Sequence, residues 1–339
     1  MRLFAFLLLY SLGLAIGCDS SEPATPPPPP PEFDPAGLWE AHAALPTRRQ
    51  EILPAVLGDR IFLVGGISGV DFPSADVLAS VDIYTPATDT WTTAAPLPFP
   101  RHHVAVASAG GTLYAFGGFT GVFPNQWEAL DDVLAYDEAA DAWTPRSPLP
   151  HPRGEHAAET FGGKIYVFGG RDPATGQVAE LDIYDPSTDT WTSGPPLPEP
   201  RVHTATAVGD SLIYVVGGRV IGAGPTENVA TVHAFSPVIG QWHGLADLPS
   251  PRGGAAAGIL GDHLVLVGGE SLDPLLVYGS TYIYDRVANS WTFGTLAGMP
   301  VPVHGTGAVT YNEALYVLGG GDQAGVSSST ANQSFVLLE

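Results

Sequence analysis

Residues 61–66 read Ile-Phe-Leu-Val-Gly-Gly, four apolar residues ending on a glycine pair. The figure returns at 113–118 (Leu-Tyr-Ala-Phe-Gly-Gly), 165–170 (Ile-Tyr-Val-Phe-Gly-Gly), 213–218 (Ile-Tyr-Val-Val-Gly-Gly), 264–269 (Leu-Val-Leu-Val-Gly-Gly) and 315–320 (Leu-Tyr-Val-Leu-Gly-Gly). Successive pairs stand 52, 52, 48, 51 and 51 residues apart. A short apolar run closed by glycines is a buried strand leading into a tight turn. Six copies at one period make a repeat array of supersecondary units.

Two further markers keep the same register. An aromatic residue precedes a Trp by seven positions in Tyr84/Trp91, Tyr136/Trp143, Tyr184/Trp191, Phe235/Trp242 and Tyr284/Trp291. Between them lie turn formers such as Thr85-Pro86-Ala87-Thr88-Asp89, so each pair brackets an antiparallel hairpin. After each Trp comes a Leu-Pro-x-Pro-Arg link, at 97–101, 149–153, 197–201 and 248–252. Residues 45–49 are a looser copy, and 299–303 keep the prolines but not the arginine. Together these residues resemble the kelch family over 38–339. That resemblance implies an all-β, six-bladed kelch-type β-propeller with one four-stranded blade per repeat.

The composition along each repeat agrees with that geometry. Small residues follow each arginine, as in Ala205-Thr206-Ala207 and Gly253-Gly254-Ala255-Ala256-Ala257, where converging strands leave little room at an axis. The Tyr and Trp fall where blades diverge and wide gaps need large side chains. At the ends, Phe335 stands in the aromatic slot, but its Trp would lie beyond Glu339, while Trp39 has no aromatic partner upstream. Leu38 to Leu45 is therefore expected to form the outer strand of the last blade, pairing with a strand over Gln333 to Leu338 and closing the ring.

Ahead of the repeats, Leu3 to Leu14 is almost continuously apolar behind Met1-Arg2, too short to span a bilayer and of signal-peptide type. It leads to Cys18, the single cysteine, which resembles the lipidated residue of a bacterial lipoprotein signal. Pro26 to Pro31 is a polyproline run, an extended semi-rigid spacer. The expected organisation is a signal peptide over 1–17, a lipid-anchored tether over 18–37 and a propeller over 38–339. The chain is then exported and held at a bacterial membrane through Cys18, on the periplasmic face or the cell surface.

Composition bounds the chemistry. Of 339 residues, 13 are Lys or Arg and 35 Asp or Glu, a formal charge of −22 that excludes a nucleic-acid partner. A lone cysteine excludes intrachain disulfides and thiolate metal sites, and with it a thioether-linked copper site of galactose-oxidase type. No nucleophile elbow, metalloprotease helix or phosphate loop appears, so no cofactor and no metal are expected, and binding rather than catalysis.

The inter-blade links carry Arg49, Arg101, Arg153, Arg201 and Arg252 towards the axis. Guanidinium forks suit an anionic or polyhydroxylated ligand, although recurrence at one repeat position favours a structural role. Beside them fall Glu51, His102, His103, Glu155, His156, His203 and His304, and Trp127 is the one Trp of the blades outside the register. Residues that break the repeat are the better candidates, so the site set is completed by His103, Glu155, His156, His203, His304 and Trp127. Histidines 103, 156, 203 and 304 come from different repeats, at spacings that diagnose no metal. Three functions follow: a monomeric module binding protein or glycan through its loop face, an enzyme similar to six-bladed kelch sialate mutarotases, and an architectural envelope protein. A deep positive funnel would favour an acidic sugar; a flat or negative face would favour protein.

Overall fold

The computed structural model describes residues 36–71, 74–122, 126–209, 211–221, 226–294 and 296–338. The signal segment, Cys18 and the polyproline run lie outside them. The described residues build six antiparallel blade sheets, five of four strands and one, over 253–292, with a fifth strand Leu275–Val277 at its side. In the first blade the order from the axis outward is Ala55–Leu57, Arg60–Val64, Val81–Thr85 and Thr90–Ala94. The apolar runs ending on Gly-Gly are the second strands, buried on both faces between neighbouring blades. Each conserves the register expected of the repeat: Tyr84 faces Trp91, Tyr136 faces Trp143, Tyr184 faces Trp191, Phe235 faces Trp242 and Tyr284 faces Trp291.

The sixth blade joins the two ends of the propeller. Ala36–Ala41 pairs with Asn332–Leu338, and Trp39 lies opposite Phe335 in the slot the other blades give their Tyr/Trp pair. The strand runs two residues earlier than expected and stops at Ala41 instead of Leu45. Ala36 and Gly37, assigned to the tether above, already pair with Leu338 and Leu337. The early stop has a cause. Ala43 docks the first blade, its N–H donating to Asp89 Oδ1 at 2.8 Å and its carbonyl accepting from Trp91 Nε1 at 2.8 Å, so it cannot extend a ladder.

That contact recurs around the ring. Trp143 Nε1 donates to Ala95 O, Trp191 to Ser147 O, Trp242 to Pro195 O, Trp291 to Ala246 O and Trp39 to Ala297 O, each reaching the preceding blade. The six indoles thus stitch all six inter-blade seams, including the one that joins the two ends of the domain.

The Leu-Pro-x-Pro-Arg links lock the seams nearer the axis. Each arginine's Nη1 donates to the carbonyl of the first glycine in its own pair: Arg49 to Gly65 at 3.0 Å, Arg101 to Gly117, Arg153 to Gly169, Arg201 to Gly217 and Arg252 to Gly268. The arginine's own carbonyl accepts from the second glycine of the blade before, as Arg101 O does from Gly66 N at 2.9 Å. The approach is so close that a Cβ on Gly65 would run into the Arg101 carbonyl oxygen, and Gly65 has a φ of 65°. Glycine at that position follows from both facts.

Candidate functional site

Two residues beyond each arginine, and beyond Val303 in the sixth link, the backbone turns into the left-handed region. Glu51 (φ 57°), His103 (53°), Glu155 (57°), His203 (52°), Gly254 (62°) and Gly305 (61°) share this conformation. Their peptide groups form a closed circle about the axis. His103 N donates to Glu51 O, Glu155 N to His103 O, His203 N to Glu155 O, Gly254 N to His203 O, Gly305 N to Gly254 O and Glu51 N to Gly305 O. Non-glycine residues with positive φ are costly and persist where surroundings enforce them; here the six-membered ring enforces them.

The ring places four functional side chains side by side. His103 Nε2 lies 2.9 Å from Glu51 Oε2, His203 Nε2 lies 3.5 Å from the same oxygen, and the two imidazole nitrogens are 3.2 Å apart. His203 Nδ1 is 3.8 Å from Glu155 Oε2. Gly305 adjoins them, and a Cβ there would push the Glu51 carboxylate aside. Burial opposes ionisation of Glu51, yet the charges and hydrogen bonds of His103 and His203 hold its carboxyl well below the usual range. Burial, then the charge of Arg219, lowers the His203 imidazole against the pull of Glu155 and Glu51.

A second tier comes from the residue after each Gly-Gly pair. Arg171 makes a two-pronged contact with Glu155, Nε to Oε2 at 2.6 Å and Nη2 to Oε1 at 2.8 Å. Arg219 pairs with Glu270, whose Oε1 is also 3.2 Å from His304 Nδ1. Burial disfavours the charged imidazole of His304, but Glu270 outweighs it and raises the pKa. Trp127, on the strand Gln126–Ala129, stacks on Phe119 at 5.3 Å and lies under the Arg171 guanidinium. Apart from Phe119 and His304, these groups line a cavity of about 260 Å³ whose other walls include Gln50, Ile67, Ile221 and Gly325.

The structure sorts the expected site residues sharply. His103, Glu155, His203 and Trp127 converge on this funnel, and His304 backs it through Glu270. The five arginines do not. Arg49, Arg101, Arg153, Arg201 and Arg252 are at most 1% exposed and bond to glycine carbonyls within the seams. Arg49 pairs with Asp82 at 2.5 Å, Arg101 with Asp132 and Arg153 with Asp182, while Arg252 lies over the rings of Tyr278 and Tyr282. Their recurrence reflects five equivalent seams, the structural role that recurrence favoured, and their burial takes them out of reach of a ligand in the funnel. His156 sits one residue beyond the ring in a smaller inner cavity, where burial and then Arg153 lower its pKa to about 3 and keep it neutral.

Three functional side chains escaped sequence reading: Arg171, Arg219 and Glu270. Their signal was present, since the residue after the glycine pair runs Ile67, Phe119, Arg171, Arg219, Glu270, Gly321 while everything around it repeats. Sequence spacing likewise selected no metal-ligating set. Of the four histidines weighed, 103 and 203 meet, joined by Glu51, while 156 and 304 point elsewhere.

The family profile described as the KLHDC2/KLHL20/DRC7 Kelch-repeats domain matches residues 145–320, and the Kelch motif profile matches 48–98 and 100–150. The chain belongs to the kelch-repeat family. Among kelch relatives it is 32% identical to Kelch-like protein terF of Aspergillus terreus, over 85% of this chain and 64% of that protein. It is 30% identical to Kelch-like protein 23 of Homo sapiens over 72% of this chain and 34% of that one. Beta-scruin of Limulus polyphemus is 30% identical over 41% and 15%. The chain thus spans less than two thirds of the length of these kelch relatives. The solved structure described as the structure of YjhT superposes with a TM-score of 0.72 at 18% identity, covering 88% of this chain and 99% of that one, a likeness of fold.

Proposed function

We propose that this kelch propeller is a binding module whose axial funnel takes a polyhydroxylated ligand, a glycan segment, and that Cys18 tethers it to a bacterial membrane. The observation that carries the reading is the pairing of charges in the funnel. Arg171 is neutralised by Glu155 and Arg219 by Glu270, with Glu51 in addition. The funnel is concave without being positive, which disfavours an acidic sugar. Paired carboxylates and guanidinium groups beside an aromatic face offer what sugar hydroxyls and C–H faces need: fixed donors, fixed acceptors and a flat apolar wall.

A glycan array probed with the full chain tests this. Arg171→Ala and Glu270→Gln should each weaken the strongest signal about 10- to 100-fold, the worth of a charge-assisted hydrogen bond, with melting temperatures checked for each. Val287→Ala, on an exposed outer turn, should change nothing. Absence of any glycan signal, or binding indifferent to Arg171, would overturn the reading. The tether is tested separately: Cys18→Ser should release the chain from the membrane fraction, and unchanged retention would refute lipidation.

One observation favours a second reading, catalysis on such a ligand. Glu155 and His203 form a carboxylate–imidazole pair facing the cavity, the equipment of general acid–base chemistry. Anomerisation of a reducing sugar above the uncatalysed rate, lost in His203→Gln, would support it; no acceleration would remove it.

A further inference from the structure

We propose that the propeller axis is a binding site for a first-row divalent metal ion, held by Glu51 Oε2, His103 Nε2 and His203 Nε2. The geometry of the three atoms carries the inference. Their separations of 2.9, 3.5 and 3.2 Å suit hydrogen bonds among the three and equally suit donors gathered around one ion. A triangle with those edges has a circumscribed radius of about 1.9 Å, so a point about 2.1 Å from all three atoms, the usual Zn–N and Zn–O distance, lies just off its plane. Two imidazole nitrogens facing each other across 3.2 Å can share at most one proton in a hydrogen bond, and a cation satisfies both lone pairs and the carboxylate together.

The donor set selects the kind of ion. Two imidazoles and one carboxylate suit Zn²⁺ and its first-row neighbours, whereas Ca²⁺ and Mg²⁺ prefer all-oxygen cages. The support behind the ligands has the form metal sites use. The far nitrogen of His203 points towards Glu155, itself clamped by both prongs of Arg171. The far nitrogen of His103 contacts His102. All three ligands stand on the hydrogen-bonded ring, so their Cα positions are fixed before an ion arrives. Of the three remaining ring positions, Glu155 faces His203 from the far side and Gly254 and Gly305 carry no side chain, which leaves a coordination position open. Three protein ligands with an open position mark a site that exchanges ligands rather than a closed structural one.

The inference is independent of the glycan reading, because metal binding is measured with no sugar present. The untagged full chain, stripped with EDTA, is titrated with ZnCl₂ by calorimetry and with CoCl₂ by visible absorption. One equivalent of each should bind, with Co²⁺ giving ligand-field bands of a low-coordinate nitrogen–oxygen site. His103→Ala and His203→Ala should each weaken Zn²⁺ at least 100-fold, Glu51→Gln about 10-fold, and His243→Ala, an exposed histidine of an outer strand, not at all. Circular dichroism melts establish that each variant is folded. Failure of the wild-type chain to take up a stoichiometric ion overturns the proposal whatever the variants do. So does Zn²⁺ binding of unchanged affinity in a folded His103→Ala/His203→Ala double variant.

Discussion

At the residue scale, the fourth blade shows how tightly the repeat's side chains depend on one another. In blade one, Asp89 Oδ1 accepts both from the Tyr84 hydroxyl at 2.7 Å and from the Ala43 N–H. Asp141 does the same for Tyr136 and Ala95, and Asp189 for Tyr184 and Ser147. In blade four the three positions read Phe235, Gly240 and Pro195: no hydroxyl, no acceptor and no N–H. A network lost as a whole leaves no buried group unpaired, whereas losing one member would. Installing Phe235→Tyr alone should therefore gain nothing, while Phe235→Tyr, Gly240→Asp and Pro195→Ala together should gain about 1–2 kcal/mol, readable as non-additivity in denaturant melts. Equal gains from the single and triple variants would show that the three positions do not act together. Such residues were legible in the sequence because six copies could be laid over one another. The arginines were legible for the same reason, and their recurrence favoured the structural role they have: a side chain repeated at each of several equivalent seams belongs to the seam. Arg171, Arg219 and Glu270 went unread, since their position, running from Ile67 through Phe119 to Gly321, carries no repeat motif and shows its meaning only when the fold gathers the copies around one axis.

At the element scale, the innermost strands wall a second part of the axis, away from the funnel. Its lining is Ser, Thr, Ala and short apolar residues, and among the described residues there Glu159, on the strand Ala157–Phe161, is the one ionisable group. Burial raises its pKa to about 7, partly offset by the hydroxyl of Thr206, which donates to Oε1 at 2.6 Å. A carboxyl whose folded pKa exceeds its unfolded value favours the fold when protonated. Its contribution is full below about pH 4.5 and is lost as pH rises through 7. Glu159→Gln mimics the protonated form, so the fall in melting temperature between pH 5.5 and 8.5 should be smaller in that variant than in the wild type. The same fall in both would mean that Glu159 is solvated in the fold. The small residues of these strands were evident from composition. The position of Glu159 was not, because a single acid in a strand reads as a surface residue until neighbouring blades enclose it.

At the scale of the whole molecule, closure is the property on which the rest depends. The hydrogen-bonded ring from Glu51 to Gly305 forms only when the first and sixth blades meet; that seam is held by Trp91 and Asp89 on Ala43 and by Gly320 N donating to Arg49 O, while Ala36–Ala41 is the outer strand that leads the chain into it. Deleting residues 36–41 should lower the melting temperature by well over 10 °C and expose the edge of Asn332–Leu338 to pairing with other chains, visible as association in light scattering. A truncated chain that stays monomeric and melts with the wild type would refute closure by this strand. That the ends meet could be inferred from one unpaired Trp and one unpaired aromatic slot. What the meeting creates, four charged or imidazole side chains on a single circle, required the six axial positions to be seen together. The claim that this circle floors the working face is tested most directly by hydrogen exchange on the full chain with and without a bound oligosaccharide. Protection should appear at the ring segments 50–52, 102–104, 154–156 and 202–204 and after the third, fourth and fifth glycine pairs, with the wall around Glu159 unchanged. Protection confined to the outer strands or to that opposite wall would place the ligand elsewhere and contradict the funnel as its site.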